Sequence, residues 1–292
     1  MKKIIVIGNG YIGSKVYRYF SDKNEDVELL HTYDYEDALS LKNTLFNRLN
    51  NEFNLPDASN IWVVNCVGYT GKPNVDACEL EKEKCWTLNV TFPTLLANIC
   101  LQHEVKLINV SSGCIYNGKK MYEEEDWPDF GVDCPDSSWY SKTKHAAELC
   151  LRSFPNVYTL RIRMPICDDF NSGKNYLSKL LKYNNLLLET NSKTIIKDLI
   201  KVINKITNIP EIPPGLYNCV NPKALDTKQV TDILDKNNMW NPHWEFIDYN
   251  ELKKHIKTGR SNCQLSTEKS RLYNIELPTE TESLEGLFDS EE

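Results

Sequence analysis

The sequence predicts an α/β fold in which a doubly wound parallel sheet is joined to a smaller substrate subdomain. Two observations carry this prediction. Six short, almost wholly apolar runs alternate with longer helical patterns, and a glycine-rich loop follows the first run. Strands that are apolar along their whole length are buried on both faces, which is typical of parallel sheets with helical crossovers. The alternation therefore favours the doubly wound class.

The predicted strands cover residues 3–7, 27–30, 61–67, 105–110, 157–162 and 216–220. Helical periodicity between them predicts helices over 12–20, 37–50, 81–103, 140–153 and 194–206. The pattern loosens after Ile166 and again after Pro222. We therefore predict a dinucleotide-binding domain formed by residues 1–167 and 194–221, and a substrate subdomain formed by 168–193 and 222–292.

Composition argues against several functional classes. A net charge of −7 over 292 residues gives no clustered basic footprint for nucleic acid. No stretch reaches the length of a membrane span, and we interpret residues 3–7 as a first strand, not as part of a signal peptide. Ten cysteines without a Cys-x-x-Cys pair, and five scattered histidines, predict reduced thiols in a cytoplasmic protein and no metal site. Four cysteines in apolar runs are predicted to be core residues: Cys66, Cys100, Cys150 and Cys219.

The glycine-rich loop has the spacing G-x-G-x-x-G between the first strand and the first helix, which makes the predicted sheet Rossmann-like. Such a loop lets a pyrophosphate approach the helix N-terminus, so we expect a nicotinamide dinucleotide here. The second strand ends at His31 without an acidic residue for a ribose diol, and Asp34 lies too far on. We predict NADPH, with NADH tolerated. The expected contacts are Gly8, Asn9, Gly10, Tyr11, Ile12 and Gly13.

A carbonyl-reducing site is predicted around Ser112, Tyr140 and Lys144. Tyr140 and Lys144 are one helical turn apart, so they share a helix face and the ammonium is expected to lower the pKa of the phenol. The same spacing occurs five times in the chain, but only Tyr140 both opens a helical pattern and follows an apolar strand that ends in serines. Cys114, two residues beyond Ser112, is expected on the same face of an extended segment. A plain reductase needs no thiol there; the alternative is a buried thiol at a strand end.

These residues resemble the extended short-chain dehydrogenases, and within them the bifunctional nucleotide-rhamnose synthase/epimerase-reductases. The resemblance covers almost the whole chain. It rests on residues 68–76 (GYTGKPNVD) with Cys78-Glu79, 113–115 (GCI), 140–144 (YSKTK), 161–166 (RIRMPI), 175–179 (NYLSK), Tyr217-Asn218 with Asn221-Pro222, and 260–262 (RSN). One departure is visible, because the family usually spaces its first two loop glycines by two residues and here the spacing is one.

The resemblance implies that a 4-keto-6-deoxyglucose carried on UDP or dTDP is epimerised at C3 and C5 and reduced at C4 with NADPH. UDP-L-rhamnose would be the product, and a nucleotide-glucose 4,6-dehydratase would supply the substrate. Cys114 and Lys179 are implied as the acid/base pair of epimerisation, in either order, beside a reductase triad of Ser112, Tyr140 and Lys144. Further implied contacts are Met164 and Pro165 to the cofactor, and Thr70, Asn74, Asn175, Arg260 and Asn262 to the substrate.

Two other functions stay open on the sequence alone. One is a monofunctional 4-keto-sugar reductase, in which Cys114 and Lys179 would be bystanders. The other is a non-catalytic regulatory subunit that binds a dinucleotide. A homodimer is also predicted, through the helices over 81–103 and 140–153. These helices carry apolar residues beyond the needs of one sheet face: Leu95, Leu96, Ile99, Leu149 and Leu151.

Overall fold

The computed structural model describes residues 2–31, 40, 43–45, 47, 49 and 60–289. Its main sheet contains Lys3–Ile7 (β1), Asp26–Leu30 (β2), Ile61–Asn65 (β3), Lys106–Ser112 (β4), Val157–Ile162 (β6) and Gly215–Asn218 (β10). All neighbours are parallel, in the order β2-β1-β3-β4-β6-β10. The predicted α/β, Rossmann-like fold is therefore confirmed, and each predicted strand agrees with an observed strand to within about two residues at either end.

Short strands outside the main sheet form three parallel pairs. Met121–Tyr122 (β5) pairs with Gln264–Leu265 (β12), and Pro165–Ile166 (β7) pairs with Thr194–Ile195 (β9). The third pair joins Asn185–Leu187 (β8) to Glu245–Ile247 (β11). Each pair joins segments that lie far apart in the sequence.

Helices connect and cover the strands. In chain order they are Gly13–Asp22 (α1), Lys82–Trp86 (α2), Phe92–Gln102 (α3), Trp139–Leu151 (α4), Tyr176–Lys182 (α5), Ile196–Asn208 (α6), Thr227–Lys236 (α7), Tyr249–Leu252 (α8), Glu268–Leu272 (α9) and Glu280–Glu285 (α10). A π-helical turn, Thr87–Thr91, joins α2 to α3, so the predicted helix over 81–103 is one continuous helical rod. Most of the helix predicted over 37–50 lies outside the described residues.

The sheet is buried on both faces, as its apolar strands predict. On one face, alternate residues of β1 such as Ile4 and Val6 pack with Phe20 of α1 and Ile203 of α6. On the other face, residues including Ile5 and Ile7 pack with Phe92 and Leu96 of α3. Each such side chain contributes about 1.5–3 kcal/mol when fully buried. A separate cluster joins Ile166, Leu177, Leu180, Val230, Ile233 and Leu284. The proposed division into two domains stays a prediction.

A buried ion pair fixes α4 to the sheet. Arg161 of β6 donates from Nη2 to Glu148 Oε2 at 2.7 Å and from Nε to both carboxylate oxygens, and both side chains are at most 1% exposed. Breaking one partner of such a pair leaves a buried charge uncompensated, which typically costs about 3–5 kcal/mol. Because α4 also carries Tyr140, this pair holds a predicted catalytic helix against the sheet.

Two expectations about surface and core are corrected by the structure. Cys150 is exposed, because it lies on the outward face of α4, whereas Cys100 and Cys219 are buried and Cys66 is half-buried. Of the apolar residues offered for a dimer surface, Leu96, Ile99 and Leu151 belong to the core of the chain. Their apolar character therefore says nothing about a dimer. Within the described ranges, no helix is long and apolar enough to cross a membrane.

Candidate active site

The topology places a binding edge at the carboxyl ends of the main-sheet strands. The chain runs outward in one direction from β1 to β2 and in the other from β3 to β10, so the winding reverses between β1 and β3. Open parallel sheets bind ligands in the crevice outside this switch point. The predicted glycine loop, Ser112 and the start of α4 all lie at this edge, after β1, at the end of β4 and in the next helix.

The glycine loop has the shape of a dinucleotide cradle. Gly8 has φ +97°, a conformation that favours glycine, and a Cβ on Gly13 would lie 1.8 Å from the carbonyl oxygen of Gly8. Gly13 thus allows the turn and the first helix to pack closely. A Cβ on Gly10 would meet nothing within 4 Å, so this glycine faces open space. The loop therefore fits a pyrophosphate that approaches the backbone at Gly10, beside the N-terminus of α1.

The other predicted loop residues line this cradle to different degrees. Asn9 is half-buried at the loop itself. Tyr11 and Ile12 are also half-buried and pack on the cluster that contains Ile4 and Val6. The Tyr11 phenol lies close to Cys167, and burial, aided by this thiol, raises the pKa of Tyr11. Tyr11 therefore links the first loop to the segment that follows β7.

Ser112, Tyr140 and Lys144 meet in one place, as the spacing predicts. Ser112 is the last residue of β4, and Tyr140 is the second residue of α4, a helix capped by the Ser138 side chain, which accepts from the Ser141 amide. Lys144 follows one turn later, with Nζ 5.8 Å from the centre of the Tyr140 ring. The Ser112 hydroxyl lies beside the Tyr140 phenol and acts to lower its pKa. All three side chains are less than 9% exposed.

The pKa of the Tyr140 phenol moves in the direction opposite to the one expected from Lys144. Burial raises the pKa of Tyr140, the Cys114 thiol raises it further, and the nearby Ser112 hydroxyl offsets only part of this. Burial also lowers the pKa of Lys144. Both groups are removed from water, which disfavours the charged form of each. Tyr140 therefore keeps its proton at neutral pH, the state required of a proton donor.

Cys114 lies just beyond β4, in contact with the same cluster. The segment does not stay extended, since the strand ends at Ser112 and the chain turns through Gly113. The turn is closed by the Cys114 amide, which donates to Ser112 Oγ at 3.1 Å. The thiol packs on a group that includes Tyr140 and accepts a hydrogen bond from Arg163 Nη1 at 3.4 Å. The expected proximity of thiol and phenol therefore holds, although its backbone basis is a turn.

Lys179 approaches the thiol from a different part of the chain. It lies in the last turn of α5 and is half-buried. Burial lowers the pKa of Lys179; the Cys114 thiol acts in the opposite direction, and Arg260 acts in the same direction as burial. Lys179 is therefore near enough to interact electrostatically with both Cys114 and Arg260, and we call the region between these three residues the cleft.

Arg260 is held at this cleft by an ion pair with Asp76. The two groups are 2.8 Å apart, and about a fifth of each side chain is exposed. Burial alone would raise the pKa of Asp76, but the hydrogen bond and charge of Arg260 outweigh it, so this pKa is lowered. Asn74 caps the short 3-10 helix Val75–Glu79 by accepting from the Asp76 amide at 2.9 Å. Thr70, on the same loop, accepts a hydrogen bond from Lys174.

The two remaining predicted substrate residues are already engaged. Asn262 accepts from Asn191 Nδ2 at 3.1 Å. Asn175 is fully buried and caps α5, and its Nδ2 donates to the carbonyls of Cys167 and Asp169. A substrate contact by Asn175 would require these bonds to open. Both assignments stay predictions.

Met164 and Pro165 follow β6 at the same edge of the sheet. Met164 has φ +36°, a left-handed conformation that is costly for a bulky side chain. Pro165 begins β7, which pairs with β9. Since β7 continues from β6 at the carboxyl edge, the strained residue lies beside the crevice, where the cofactor contact was predicted.

Several neighbours of the site were not predicted to belong to it, although Cys78 stands in one of the motifs that carry the family resemblance. Cys78 and Cys85 are fully buried and pack on Tyr140. Asn89 Nδ2 donates to Cys85 Sγ at 3.3 Å and to Thr143 Oγ1 at 3.0 Å, which locks the helical rod against α4. The seven-residue spacing of Cys78 and Cys85 resembles ordinary core spacing, so it gave no signal.

Comparison with known proteins places the chain in a family. The family model described as the RmlD substrate binding domain matches residues 1–291. The chain is 33% identical over 230 residues to an Arabidopsis thaliana protein named bifunctional dTDP-4-dehydrorhamnose 3,5-epimerase/dTDP-4-dehydrorhamnose reductase, covering 76% of this chain and 74% of that one. It is 32% identical over 232 residues to a trifunctional protein of the same plant, named UDP-glucose 4,6-dehydratase/UDP-4-keto-6-deoxy-D-glucose 3,5-epimerase/UDP-4-keto-L-rhamnose-reductase. That match covers 76% of this chain but only 33% of the relative, so the chain spans about a third of the trifunctional length.

Solved structures share the fold. The L780 UDP-rhamnose synthase of Acanthamoeba polyphaga mimivirus superimposes with a TM-score of 0.83 at 22% identity, over 99% of both chains. A dTDP-4-dehydrorhamnose reductase from Bacillus anthracis, in complex with NADP, gives 0.75 at 16% identity, over 99% of this chain and 98% of that one. The second structure holds the class of cofactor predicted from the glycine loop.

Proposed function

The chain belongs to the RmlD substrate binding domain family, and on that premise we propose that it is an NADPH-dependent reductase of 4-keto-6-deoxy sugar nucleotides that also epimerises C3 and C5. In its specific form, the proposal is synthesis of UDP-L-rhamnose from UDP-4-keto-6-deoxy-D-glucose. The observation that carries it is the packing of the Cys114 thiol against Tyr140, beside Ser112, with Lys179 near enough to interact electrostatically with the thiol. A carbonyl site alone would serve reduction; a thiol and an amine beside it also serve proton transfer at carbon.

In the reduction step, the chain's own groups handle the substrate oxygen. The Tyr140 phenol, kept protonated by burial, donates a hydrogen bond and then its proton to the C4 oxygen. Ser112 donates a second hydrogen bond to the same oxygen. Lys144 lies one turn further along the helix, where it orients the Tyr140 phenol and would contact the ribose of the cofactor. NADPH, when bound at the glycine loop, supplies the hydride for C4.

In the epimerisation step, the C4 ketone makes the protons on C3 and C5 removable. Cys114 takes a proton from carbon, and the electron pair moves to the C4 oxygen as an enolate. Ser112 and Tyr140 stabilise that oxygen, an effect typically worth about 2.7–4 kcal/mol for each donor. Inversion then needs a proton delivered to the opposite face of the ring, and Lys179 supplies it. One oxygen-binding site thereby serves both reactions.

Recognition of the nucleotide part rests on basic groups along the cleft. Arg260, held by Asp76, lies where a diphosphate can reach it, while the protein as a whole is acidic. The trifunctional relative carries a dehydratase activity in its name, so we propose that a separate dehydratase supplies the ketone to this chain. A homodimer stays a proposal. Leu96, Ile99 and Leu151 do not support it, because they lie in the core of the chain.

The testing experiment offers UDP-4-keto-6-deoxyglucose and NADPH to the purified protein. Loss of nicotinamide absorbance is followed, and the sugar product is identified by magnetic resonance. The proposal expects UDP-L-rhamnose. In a parallel reaction in deuterated water without NADPH, we expect the sugar to take up deuterium at C3 and C5. Reduction without exchange would instead identify a monofunctional reductase, and NADPH binding without turnover of either UDP or dTDP substrate would identify a regulatory subunit.

A further inference from the structure

Two buried arginines that are close in the sequence differ in whether a carboxylate neutralises them. Arg161 and Arg163 are two residues apart on one extended segment, and both are at most 1% exposed. Arg161 is neutralised by the carboxylate of Glu148. Arg163, in contrast, has no carboxylate within ion-pair distance among the residues that the structure describes. A buried cation without an anion is expensive, so the partners that Arg163 does have need an explanation.

The partners of Arg163 converge on the turn that carries Cys114. Nη1 donates to Ser261 Oγ at 2.7 Å and to the Gly113 carbonyl and Cys114 Sγ, each at 3.4 Å. Nη2 donates to Asn191 Oδ1 at 2.5 Å and to the Ser261 carbonyl at 3.1 Å. The guanidinium is thus fixed at both ends by neutral oxygens.

Gly113 is the residue that permits this approach. A Cβ at Gly113 would lie 2.5 Å from Leu265 Cδ1 and 3.1 Å from Arg163 Cγ. The turn therefore brings the sulphur within reach of the guanidinium because residue 113 has no side chain. Among the described groups that hydrogen-bond to the Arg163 guanidinium, the Cys114 thiol is the one that can become an anion; the Cys263 thiol interacts with Arg163 without such a bond.

We propose that Arg163 is a positioning residue that pairs with the thiolate of Cys114 and so prepares it to take a proton from carbon. This rests on the proposed function of Cys114 as a base. In the step itself, the thiolate sulphur accepts the carbon-bound proton and becomes neutral, and the carbon–hydrogen electron pair passes to the C4 oxygen. The negative charge thereby moves from the sulphur beside the guanidinium to the C4 oxygen beside Ser112 and Tyr140. In this role the guanidinium acts through Cys114 and not on the substrate itself.

Other ionisable groups face the same thiol and set the size of the effect. The ammonium groups of Lys144 and Lys179 interact with it, as do the Tyr140 phenol and the Cys263 thiol. Two further cations therefore remain when Arg163 is replaced. An opposite charge at contact distance favours ionisation by about ten- to a thousandfold, and with two cations left we expect the lower end, about tenfold.

The test measures alkylation of Cys114 by iodoacetamide over a pH series, with the modified peptide quantified by mass spectrometry. In Arg163→Gln, alkylation at neutral pH should fall about tenfold and recover at alkaline pH, where the thiolate forms without help. Arg163→Lys should restore most of the neutral-pH rate. Arg271→Gln, which removes an arginine from an exposed pair with Glu268, is the matched control and should leave the rate unchanged. If Arg163→Gln does not fold, Ser261→Ala, which removes the 2.7 Å acceptor of Nη1 and so loosens the hold on the guanidinium, should show a smaller loss with the same pH dependence.

An unchanged alkylation rate at neutral pH, or a loss that is equal at every pH, would overturn the pairing of Arg163 with the thiolate. Deuterium exchange at C3 and C5 is measured on the same variants and should fall in parallel with alkylation. Failure of the proposed function can be distinguished from failure of this proposal. If the proposed function is wrong, the unmodified protein shows no deuterium exchange, whereas the alkylation profiles still show whether Arg163 pairs with the Cys114 thiolate.

Discussion

Replacing two glycines of the first loop by alanine should separate cofactor binding from stability. At Gly13 a Cβ would lie 1.8 Å from the Gly8 carbonyl oxygen, far inside an ordinary contact, so the backbone of the turn must move. Such overpacking costs about 1–3 kcal/mol, and each kcal/mol lowers Tm by roughly 2–4 °C in a chain of this size class. At Gly10 the Cβ meets nothing within 4 Å, so the stability of Gly10→Ala should change by no more than about 0.5 kcal/mol.

The same two variants should also differ in their affinity for the cofactor. Gly10→Ala should lose affinity for NADPH although it loses little stability. The added methyl at Gly10 occupies the space through which a pyrophosphate reaches the backbone, and we expect the Kd for NADPH to rise at least about tenfold, or roughly 1.4 kcal/mol. Thermal unfolding and a fluorescence titration with NADPH measure the two quantities. Normal NADPH affinity in Gly10→Ala, or an unchanged Tm in Gly13→Ala, would show that the loop geometry has been misinterpreted.

Three further substitutions test other contacts. Tyr140→Phe should lower the rate of C4 reduction by about 10²–10⁴-fold with Tm unchanged. The control is Tyr19→Phe, at the same Tyr–Lys spacing and with its hydroxyl bonded to the lysine, and it should leave the rate of reduction unchanged. Equal rates in the two variants would show that the Tyr140 phenol takes no part in the mechanism. Asp76→Asn removes the negative charge that lies 2.8 Å from Arg260. It should raise KM for the sugar nucleotide about fivefold, roughly 1 kcal/mol, with little change in kcat. A change confined to kcat would contradict a binding role for Arg260. Glu148→Gln should lower the free energy of unfolding by about 3–5 kcal/mol, measured in urea. Glu125→Gln, in an exposed pair, should cost at most about 1 kcal/mol, and a similar loss in both would contradict the buried-charge argument.

Local patterns account for what the sequence predicts well. The strands of the sheet are short and apolar, and the glycine loop stands directly between β1 and α1, so neighbours in the chain determine both. Tyr140 and Lys144 lie on one helix, where spacing alone fixes their shared face. These features require no knowledge of how distant segments pack.

The remaining features depend on contacts between distant residues. Arg163 reaches Cys114 across 49 positions and Ser261 across 98, and no local pattern encodes either approach. The pKa of Tyr140 is raised because neighbouring segments exclude water from it, a property of packing that a helical spacing cannot reveal. Cys150 was misplaced for a related reason, since an apolar neighbourhood in sequence does not tell which face of α4 is covered.

The central claim is that one pocket both inverts carbon and reduces the ketone, and Cys114→Ser tests it most directly. A hydroxyl hardly ionises, so deuterium uptake at C3 and C5 from deuterated water, and formation of the L-rhamnose nucleotide, should fall by about the 10²–10⁴ expected for a lost general base. Ser112 and Tyr140 remain, so the variant should still reduce the unepimerised ketone slowly and yield a 6-deoxy sugar nucleotide of the D series. Formation of the L-rhamnose nucleotide by Cys114→Ser at the rate of the unmodified protein would contradict the claim.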